Sequence, residues 1–180
     1  SGKRVLSLWG IINRGIEAAR HQHVCWLNDD CRVLPDWDHN ALAYFSDPNV
    51  ALVVMRSQGI GGSSEFGVIE ALHGVPCANY GLLDRSNGVR FDEDYSWFYG
   101  DADLPLRLVV ERKSKVIATG ENCVVHKHLV DENRAENESD PRIQADEQRF
   151  REKWSEYVRL PRWVPFWSDR IVKRNLVTRV

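Results

Sequence analysis

The sequence contains no long hydrophobic run and no excess of positive charge. No apolar stretch approaches the roughly 20 residues that a membrane-spanning helix needs. Lys and Arg total 24 against 26 for Asp and Glu, a formal net charge of -2, so no global positive field is available to hold a nucleic acid backbone. We therefore expect a cytoplasmic protein that does not have nucleic acid as a partner.

Cysteines are few, and their spacing is irregular. The sequence has four, Cys25, Cys31, Cys77 and Cys123, and no two of them form a C-x-x-C pair. Two lie in strand-like apolar runs, where a thiol usually packs as a small hydrophobic group. The spacing therefore indicates neither a zinc knuckle nor a disulfide framework.

Strands and helices alternate along the first part of the chain. The 180 residues, 43% of them hydrophobic, fit one domain with a substantial core. Residues 11–20 show helical spacing, residues 23–27 form an apolar strand, and residues 35–45 suit a second helix ahead of a strand at 50–55. This alternation predicts an α/β domain with a mostly parallel sheet flanked by helices.

Polar ligand types follow one of these strands. Asn28, Asp29 and Asp30 come directly after residues 23–27, at the edge where open α/β sheets bind substrates. Their oxygens suit Mg²⁺ or Mn²⁺. A capped, solvated turn has the same composition, so this segment alone does not decide between a metal site and a turn.

Two histidines follow a later strand. His126 and His128 come after the apolar residues 122–125, and on a continued strand they would face opposite sides. At most one of them can then point into a site shared with Asp30, and His126 lies nearer the strand. A lone histidine is also commonly a structural hydrogen-bonding group.

A short acidic segment is rich in aromatic residues. Five carboxylates and five aromatic rings lie between Phe91 and Asp103. Aromatic walls desolvate a carboxylate and raise its pKa towards the range of a general base. The helix predicted from residue 104 has the opposite effect, because its N-terminus lowers the pKa of Asp101 and Asp103. Either aspartate could instead be an N-cap.

The last part of the chain differs in composition. Residues 131–140 are polar and acidic, and residues 143–157 read as a charged amphipathic helix. We therefore divide the chain into a core, 1–130, and a tail, 131–180. Residues 159–180 carry six basic residues against one acidic residue, interleaved with aromatic rings. Such a stretch suits packing on the core or on a neighbouring subunit, and it also suits peripheral contact with a membrane.

Several segments occur in a fixed order. Residues 13–19 read N-R-G-I-E-A-A, and residues 24–30 form an apolar strand that ends in N-D-D. Residues 91–95 read F-D-E-D-Y, residues 99–107 read Y-G-D-A-D-L-P-L-R, and residues 124–126 read V-V-H. In this order they resemble the inverting glycosyltransferases of family 2, which have the GT-A fold: the N-x-G helix, the D-x-D-type strand end, the F-D-E and E-D-x-D-L-x-x-R segments, and the strand with its histidine.

The resemblance, which covers roughly residues 4–130, implies a chemistry. It implies a nucleotide-diphosphate sugar as donor, a carbohydrate or lipid-linked acceptor, a divalent metal, Mn²⁺ or Mg²⁺, and a single inverting displacement at the anomeric carbon. By position, Asp101 would take the proton of the acceptor hydroxyl, and Asp30 and His126 would hold the metal. The donor and substrate contacts that it implies involve Asn28, Asp29, Gly81, Leu82, Trp97, Asp103 and Arg107, the last two also ordering the start of the helix.

Some features depart from the family pattern. Asn28 stands where the first aspartate is usual, and Gly100 stands where an acidic residue is usual. Family members also have two βα units, about 60 to 70 residues, ahead of the N-x-G helix. We therefore expect a shortened GT-A domain, whether a natural enzyme, a truncated reading frame or a fragment, whose uncovered sheet edge is shielded in a homo-oligomer.

Two other function classes remain as alternatives to a transferase. A non-catalytic binding or assembly module could retain the same scaffold. A metal-dependent phosphohydrolase fits less well, because the spacing of histidine and aspartate suits one ion better than a two-metal clamp.

Overall fold

The described residues form helices that separate single strands or groups of strands. A computed structural model of the chain describes residues 7–58, 64–65, 77–126 and 140–157. The α-helices are α1 (Leu8–Ala18), α2 (Trp37–Leu42), α3 (Gly100–Val110) and α4 (Pro141–Lys153), with 3₁₀ helices at Ala43–Ser46 and Arg85–Asn87. The strands are β1 (His23–Trp26), β2 (Cys31–Val33), β3 (Val50–Gln58), β4 (Ser64–Glu65), β5 (Gly81–Asp84) and β6 (Lys115–His126).

The strands form one mixed sheet in the order β1-β5-β3-β6-β2, with β4 paired to β3. β3 and β6 run parallel, whereas the other described pairs are antiparallel. The α/β class is confirmed, and the expectation of a mostly parallel sheet is corrected. An apolar run such as residues 23–27 indicates that a strand is buried on both faces. Burial does not determine whether the neighbouring strand runs parallel or antiparallel, so the run alone could not predict a parallel sheet.

The sheet buries side chains on both of its faces. On β3, Leu52 and Val54 point into the cluster formed with α1, α3 and α4. Val53 and Met55 point into a second cluster, beside α2. This alternation follows from the two-residue period of a strand. Phe150 and Trp154, at and beyond the end of α4, belong to the first cluster, so the described part of the tail shares the core of residues 1–130.

Helix α1 joins two of the family-like segments. The Ser7 hydroxyl accepts a hydrogen bond from the N–H of Gly10 at 3.1 Å and caps the helix. The buried Asn13 amide donates to the Phe91 carbonyl at 2.9 Å and to Glu93 Oε1 at 3.0 Å. Its carbonyl oxygen accepts from the N–H of Phe91 at 2.9 Å. The asparagine of the N-x-G segment therefore holds the F-D-E segment in place.

Three parts of the sequence interpretation lie outside the described residues: His128, the acidic loop at 131–139, and the basic aromatic stretch at 159–180. Within the described residues, no helix has the length and apolar character needed to cross a membrane.

Candidate active site

Three side chains of different chemistry meet where β2 begins and β6 ends. The ligand atoms of Asp30, Cys31 and His126, which we call the ligand cluster, all lie within 4.8 Å of one another. His126 Nε2 lies 2.8 Å from Asp30 Oδ2, and the two side chains are 17% and 22% exposed. Because the cluster is partly open, a ligand can reach it. The structure thus brings together the two residues predicted to hold a metal.

The pairing of β2 with β6 builds this cluster. Cys31 lies directly opposite His126 in the antiparallel register, and directly opposite residues project from the same face with their Cβ atoms about 5 Å apart. Asp30 precedes Cys31, and its Oδ1 lies 3.7 Å from Cys31 Sγ. Oxygen, nitrogen and sulfur donors of this kind fit a divalent cation. The sequence interpretation missed Cys31, because only the strand register places it beside His126.

Burial affects the Cys31 thiol. Desolvation raises its pKa, and a hydrogen bond with Tyr80 partly opposes this rise. The Tyr80 ring also packs edge-on against the His126 ring, with 5.6 Å between the centroids. Tyr80 is a buried residue of the second core cluster, and its two contacts hold one side of the ligand cluster. Tyr80 was also absent from the residues predicted from the sequence.

Asn28 and Asp29 lie at the open side of this turn. Both are exposed, and the Asn28 carbonyl accepts a hydrogen bond from the N–H of Cys31 at 3.2 Å. This bond folds the chain back between β1 and β2. The two side chains therefore sit next to the ligand cluster in the chain and face solvent.

Asp101 occupies the first turn of α3. The side chain is half-buried, and desolvation raises its pKa to about 6, against the lowering effect of the backbone N–H groups of Asp101 and Ala102. The two opposing effects foreseen from the sequence are thus both present, and desolvation is the larger. A carboxylate with this pKa is mostly ionised at neutral pH and accepts a proton readily, as a general base requires.

Other carboxylates of the acidic segment are paired with helix α4. Lys153 Nζ lies 2.9 Å from Asp92 Oδ2, and Arg149 Nη1 lies 3.0 Å from Asp94 Oδ2. Burial raises the pKa of Asp92, but its contacts with Lys153 and the N–H of Asp94 outweigh this and leave the pKa lowered. The pair with Lys153 stabilises the ionised form of Asp92, which makes this carboxylate a poorer base than Asp101.

Asp103 is a buried aspartate in contact with Trp154 and Tyr95 of the first core cluster. Its side chain is 0% exposed, and its Oδ1 lies 2.7 Å from Lys153 Nζ and accepts from the Trp154 indole at 2.9 Å. Desolvation raises its pKa, opposed by Lys153, Trp154 and Arg107. The Arg107 guanidinium donates to the Arg90 carbonyl at 2.7 Å. These contacts place Asp103 and Arg107 in the support of α3.

Gly81 and Leu82 begin β5, inside the sheet. Leu82 is 5% exposed. A Cβ at Gly81 would lie 2.6 Å from the Trp26 indole and 2.9 Å from Leu52, so glycine is required for Trp26 to cross the strand. Both residues are therefore parts of the core. Their contact with the nucleotide-sugar donor is implied only by the family resemblance.

Trp97 presents a ring to solvent. It is 39% exposed, and the Arg142 guanidinium lies 5.9 Å from the ring centroid. An exposed indole whose backbone is held by the protein is suited to stacking on a sugar ring.

Gly100 differs from the acidic residue that is usual at this position, and the packing explains the difference. A Cβ at Gly100 would clash with the indole of Trp9. Trp9 is itself 5% exposed and stacks on Phe91 with 4.8 Å between ring centroids. The large ring on α1 thus occupies the space that a side chain at position 100 would need.

Residues 77–80 connect Asp101 with the ligand cluster. The N–H of Ala78 donates to the Asp101 carbonyl at 2.8 Å. Tyr80, two residues further on, contacts His126. Two residues span at most about 7 Å of extended chain. The backbone of Asp101 and the ligand cluster therefore lie at the same end of the sheet, where β1 and β6 finish and β5 begins.

The fold and the site together define a class: an α/β domain with a half-buried carboxylate of raised pKa and a cluster of side chains that could hold a metal ion, at one end of a mixed sheet. Residues 8–102, just over half of the 180 residues, match the sequence profile of glycosyl transferase family 2. The chain belongs to this family, and the resemblance found from the sequence motifs is confirmed.

One solved structure with a similar chain path is the crystal structure of S. aureus TarS 1-349. The TM-score is 0.49 and the sequence identity 10%, and the match covers 67% of this chain and 40% of the TarS chain. The chain thus spans less than half the length of that structure. A comparison with curated proteins found no match.

Proposed function

We propose that this chain forms the acceptor-activating and metal-binding part of an inverting glycosyltransferase that uses a nucleotide-diphosphate sugar. The observation that carries the proposal is Asp101. It is half-buried at the N-terminus of α3, its pKa is raised to about 6, and residues 77–80 link it to the ligand cluster. A carboxylate that is ionised but weakly solvated is suited to removing a proton from a hydroxyl group.

Asp101 acts on the acceptor. Its carboxylate takes the hydroxyl proton as the acceptor oxygen forms a bond to the anomeric carbon of the donor sugar. The bond from that carbon to the diphosphate oxygen breaks on the opposite face, and the electron pair leaves with the diphosphate. A single displacement of this kind inverts the anomeric configuration.

Asp30 and His126 would hold a divalent cation, for which the family resemblance implies Mn²⁺ or Mg²⁺. When bound, the cation offsets the negative charge that develops on the leaving diphosphate. The exposed Asn28 and Asp29 border the same position, and Trp97 offers a stacking surface for a sugar ring. Asp103 and Arg107 act from within the fold, by fixing the start of α3 and hence the Asp101 carboxylate.

The acceptor is a carbohydrate or a lipid-linked sugar, and the working form is a cytoplasmic homo-oligomer. An oligomer shields the sheet edge at β1, which pairs with β5 on one side and has no second partner among the described strands. The basic and aromatic composition of residues 159–180 suits packing on the core or on a neighbouring subunit, and it also suits the peripheral membrane contact that a lipid-linked acceptor would need.

Asp101→Asn tests the proposal. We expect turnover to fall by about 10²- to 10⁴-fold, because an amide cannot accept the proton, while the fold is retained. The matched control is Asp94→Asn, which neutralises an exposed carboxylate of the same segment and should leave turnover within about twofold. In the wild type, kcat/KM should rise with pH up to a plateau above about pH 6, as Asp101 loses its proton. Full turnover in Asp101→Asn would remove this residue from the mechanism.

Calorimetric titration separates an enzyme from a binding module. UDP and GDP are titrated with and without Mn²⁺ into the chain and into Asp30→Ala. Metal-dependent binding that the variant loses, together with turnover of a sugar donor, supports the transferase. The same binding without turnover of any donor identifies the chain as a non-catalytic module of the same scaffold.

A further inference from the structure

The ligand cluster contains a donor that an oxygen-preferring metal site does not need. Cys31 supplies a sulfur atom beside the carboxylate of Asp30 and the imidazole of His126. Among the described residues, no other group of three or more His, Cys, Asp or Glu side chains comes this close together. The thiol faces the cluster because β2 pairs with β6 in the register that sets Cys31 opposite His126.

We propose that Cys31 is a third protein ligand and that it makes this a sulfur, nitrogen and oxygen site for Zn²⁺ or a similar borderline metal such as Co²⁺, in preference to Mg²⁺. The inference deepens the proposed function by naming the class of cation, and it rests on the same cluster.

The spacing of the donor atoms supports the assignment. A tetrahedral ion about 2.1 Å from an oxygen and about 2.3 Å from a sulfur holds these two ligands about 3.6 Å apart. Asp30 Oδ1 and Cys31 Sγ are 3.7 Å apart. His126 Nε2 lies 2.8 Å from the other carboxylate oxygen, Oδ2, so this hydrogen bond has to break for the imidazole and Oδ1 to bind one ion together.

The chemistry of the donors sets the selectivity. Mg²⁺ prefers six oxygen ligands at about 2.1 Å and retains several water molecules, and it gains little from sulfur. Zn²⁺ and Co²⁺ accept thiolate, imidazole and carboxylate together in a tetrahedral arrangement. On binding, the bond from sulfur to its proton breaks, a bond from sulfur to the metal forms, and the proton passes to solvent. Three protein ligands leave a fourth position for a phosphate oxygen or a water molecule.

Tyr80 is a buried neighbour of the ligand cluster and holds the His126 ring in place. Its ring packs edge-on against His126, and it is 4% exposed. A fixed neighbour on the imidazole orients the ligand nitrogen before the metal arrives, which is how residues around a metal site commonly raise its affinity.

Titration of the full chain with Co²⁺ tests the inference. Thiolate ligation gives Co²⁺ an intense sulfur-to-metal charge-transfer absorption in the near ultraviolet, which oxygen and nitrogen ligands do not produce. We expect this band to reach its maximum at one Co²⁺ per chain, and to disappear in Cys31→Ser. The matched control is Cys25→Ser, which removes a half-buried free thiol on β1, at the other end of the strand order, and should retain the band.

Competition with a chromophoric chelator then measures the affinity for Zn²⁺. Loss of the thiol should weaken Zn²⁺ binding by about tenfold or more and leave Mg²⁺ binding within about twofold, because sulfur contributes only to the softer metal. A wild-type chain that shows no charge-transfer band, or a Cys31→Ser variant that retains it, would overturn the inference.

The outcome is independent of the transferase proposal. If the band is absent while UDP or GDP binding still requires Mn²⁺ and Asp30, Cys31 is not a ligand and the proposed function stands. If the band is present and lost with Cys31 but no nucleotide binds, the metal assignment stands and the transferase proposal fails.

Discussion

Asp101 and Asp103 show how much the surroundings of one residue type decide its role. The two aspartates are two positions apart on α3, and such residues point to different sides of a helix. Asp101 reaches the half-buried edge of the site, whereas Asp103 is 0% exposed and lies against Lys153 and Trp154. The first is the carboxylate that the proposed function makes the general base, and the second holds the helix to α4.

The raised pKa of Asp101 predicts a pH-dependent stability cost. The folded pKa of about 6 exceeds the ordinary value of 3.8, so the folded state binds the proton more tightly than the unfolded state does. Stability should therefore fall as the pH rises from about 4 to about 6, by about 2 kcal/mol. Asp101→Asn removes this cost and should be more stable than the wild type by about that amount near pH 7, and equal to it near pH 4. Urea unfolding of both proteins across this pH range measures the difference, and a constant difference would contradict the expectation.

Gly81 provides a second prediction at the scale of single residues. In Gly81→Ala the added methyl group would lie 2.6 Å from the Trp26 indole, and overpacking of this kind costs about 1 to 3 kcal/mol. We expect the urea midpoint of unfolding to fall accordingly.

Gly15→Ala is the matched control for this substitution. A Cβ at Gly15 meets no atom within 4 Å, and in a helix the change from glycine to alanine stabilises by about 0.5 to 1 kcal/mol. The two variants should therefore move the midpoint in opposite directions. Equal effects would show that Gly81 is not confined by its neighbours.

At the scale of elements, helix α4 braces the segment that precedes α3. The buried carboxylate of Asp146 accepts hydrogen bonds of 2.9 to 3.1 Å from the backbone N–H groups of Ser96, Trp97 and Phe98. Lys153 adds contacts to Asp92 and Asp103. The position of the exposed Trp97 ring thus depends on a helix about 50 residues further along the chain.

Asp146→Asn should weaken this brace. The amide nitrogen cannot accept from a backbone N–H, so donors are left buried without a partner, at a cost of about 1 to 3 kcal/mol. We expect a matching loss in the free energy of unfolding. Glu152→Gln, which changes an exposed carboxylate of the same helix that accepts from Gln148, should change the free energy of unfolding by less than about 0.5 kcal/mol. A loss as large in Glu152→Gln would show that the charge of α4, and not the bonds of Asp146, is what matters.

The elements were more predictable from the sequence than the contacts between them. Helices near residues 11–20 and 143–157 follow from apolar spacing, and α1 and α4 form there. α3 begins at Gly100, four residues before the predicted start, because the apolar stripe begins only at Leu104. The charged pattern of α4 predicted a solvated face, yet Asp146 on that helix is buried. It accepts hydrogen bonds from backbone N–H groups about 50 residues earlier in the chain, and these bonds cannot be read from the local sequence.

The sequence predicted most of the residue types in the site but only part of the way they are arranged. Asp30 and His126, predicted to share a site, lie in contact. Cys31 was missed because its partner lies 95 positions away in the chain, and only strand register joins them. Asp101 could be named from the family motif, but the balance between desolvation and the helix N-terminus depends on how deeply the carboxylate is buried, which is a property of the folded chain.

At the scale of the whole molecule, the sheet predicts self-association. β1 and β2 are the end strands of the described sheet, and edge backbone groups readily pair with another chain. We expect light scattering to give at least twice the chain mass of 20.8 kDa at micromolar concentration, and small-angle scattering to agree. A mass of one chain at every concentration tested would contradict the proposal.

Residues 77–80 also have a consequence for how this domain tolerates changes in length. Within four positions the backbone is fastened to α3 through Ala78, to β3 through the bond from Met55 to the Tyr80 carbonyl at 2.9 Å, and to Trp26 through the Ala78 carbonyl at 3.2 Å. An insertion or deletion of a single residue there would therefore break at least one of these hydrogen bonds. The number of residues between these anchors therefore fixes the backbone of Asp101 relative to Tyr80, which contacts His126. We expect sequence changes in this segment to be substitutions that leave its length unchanged.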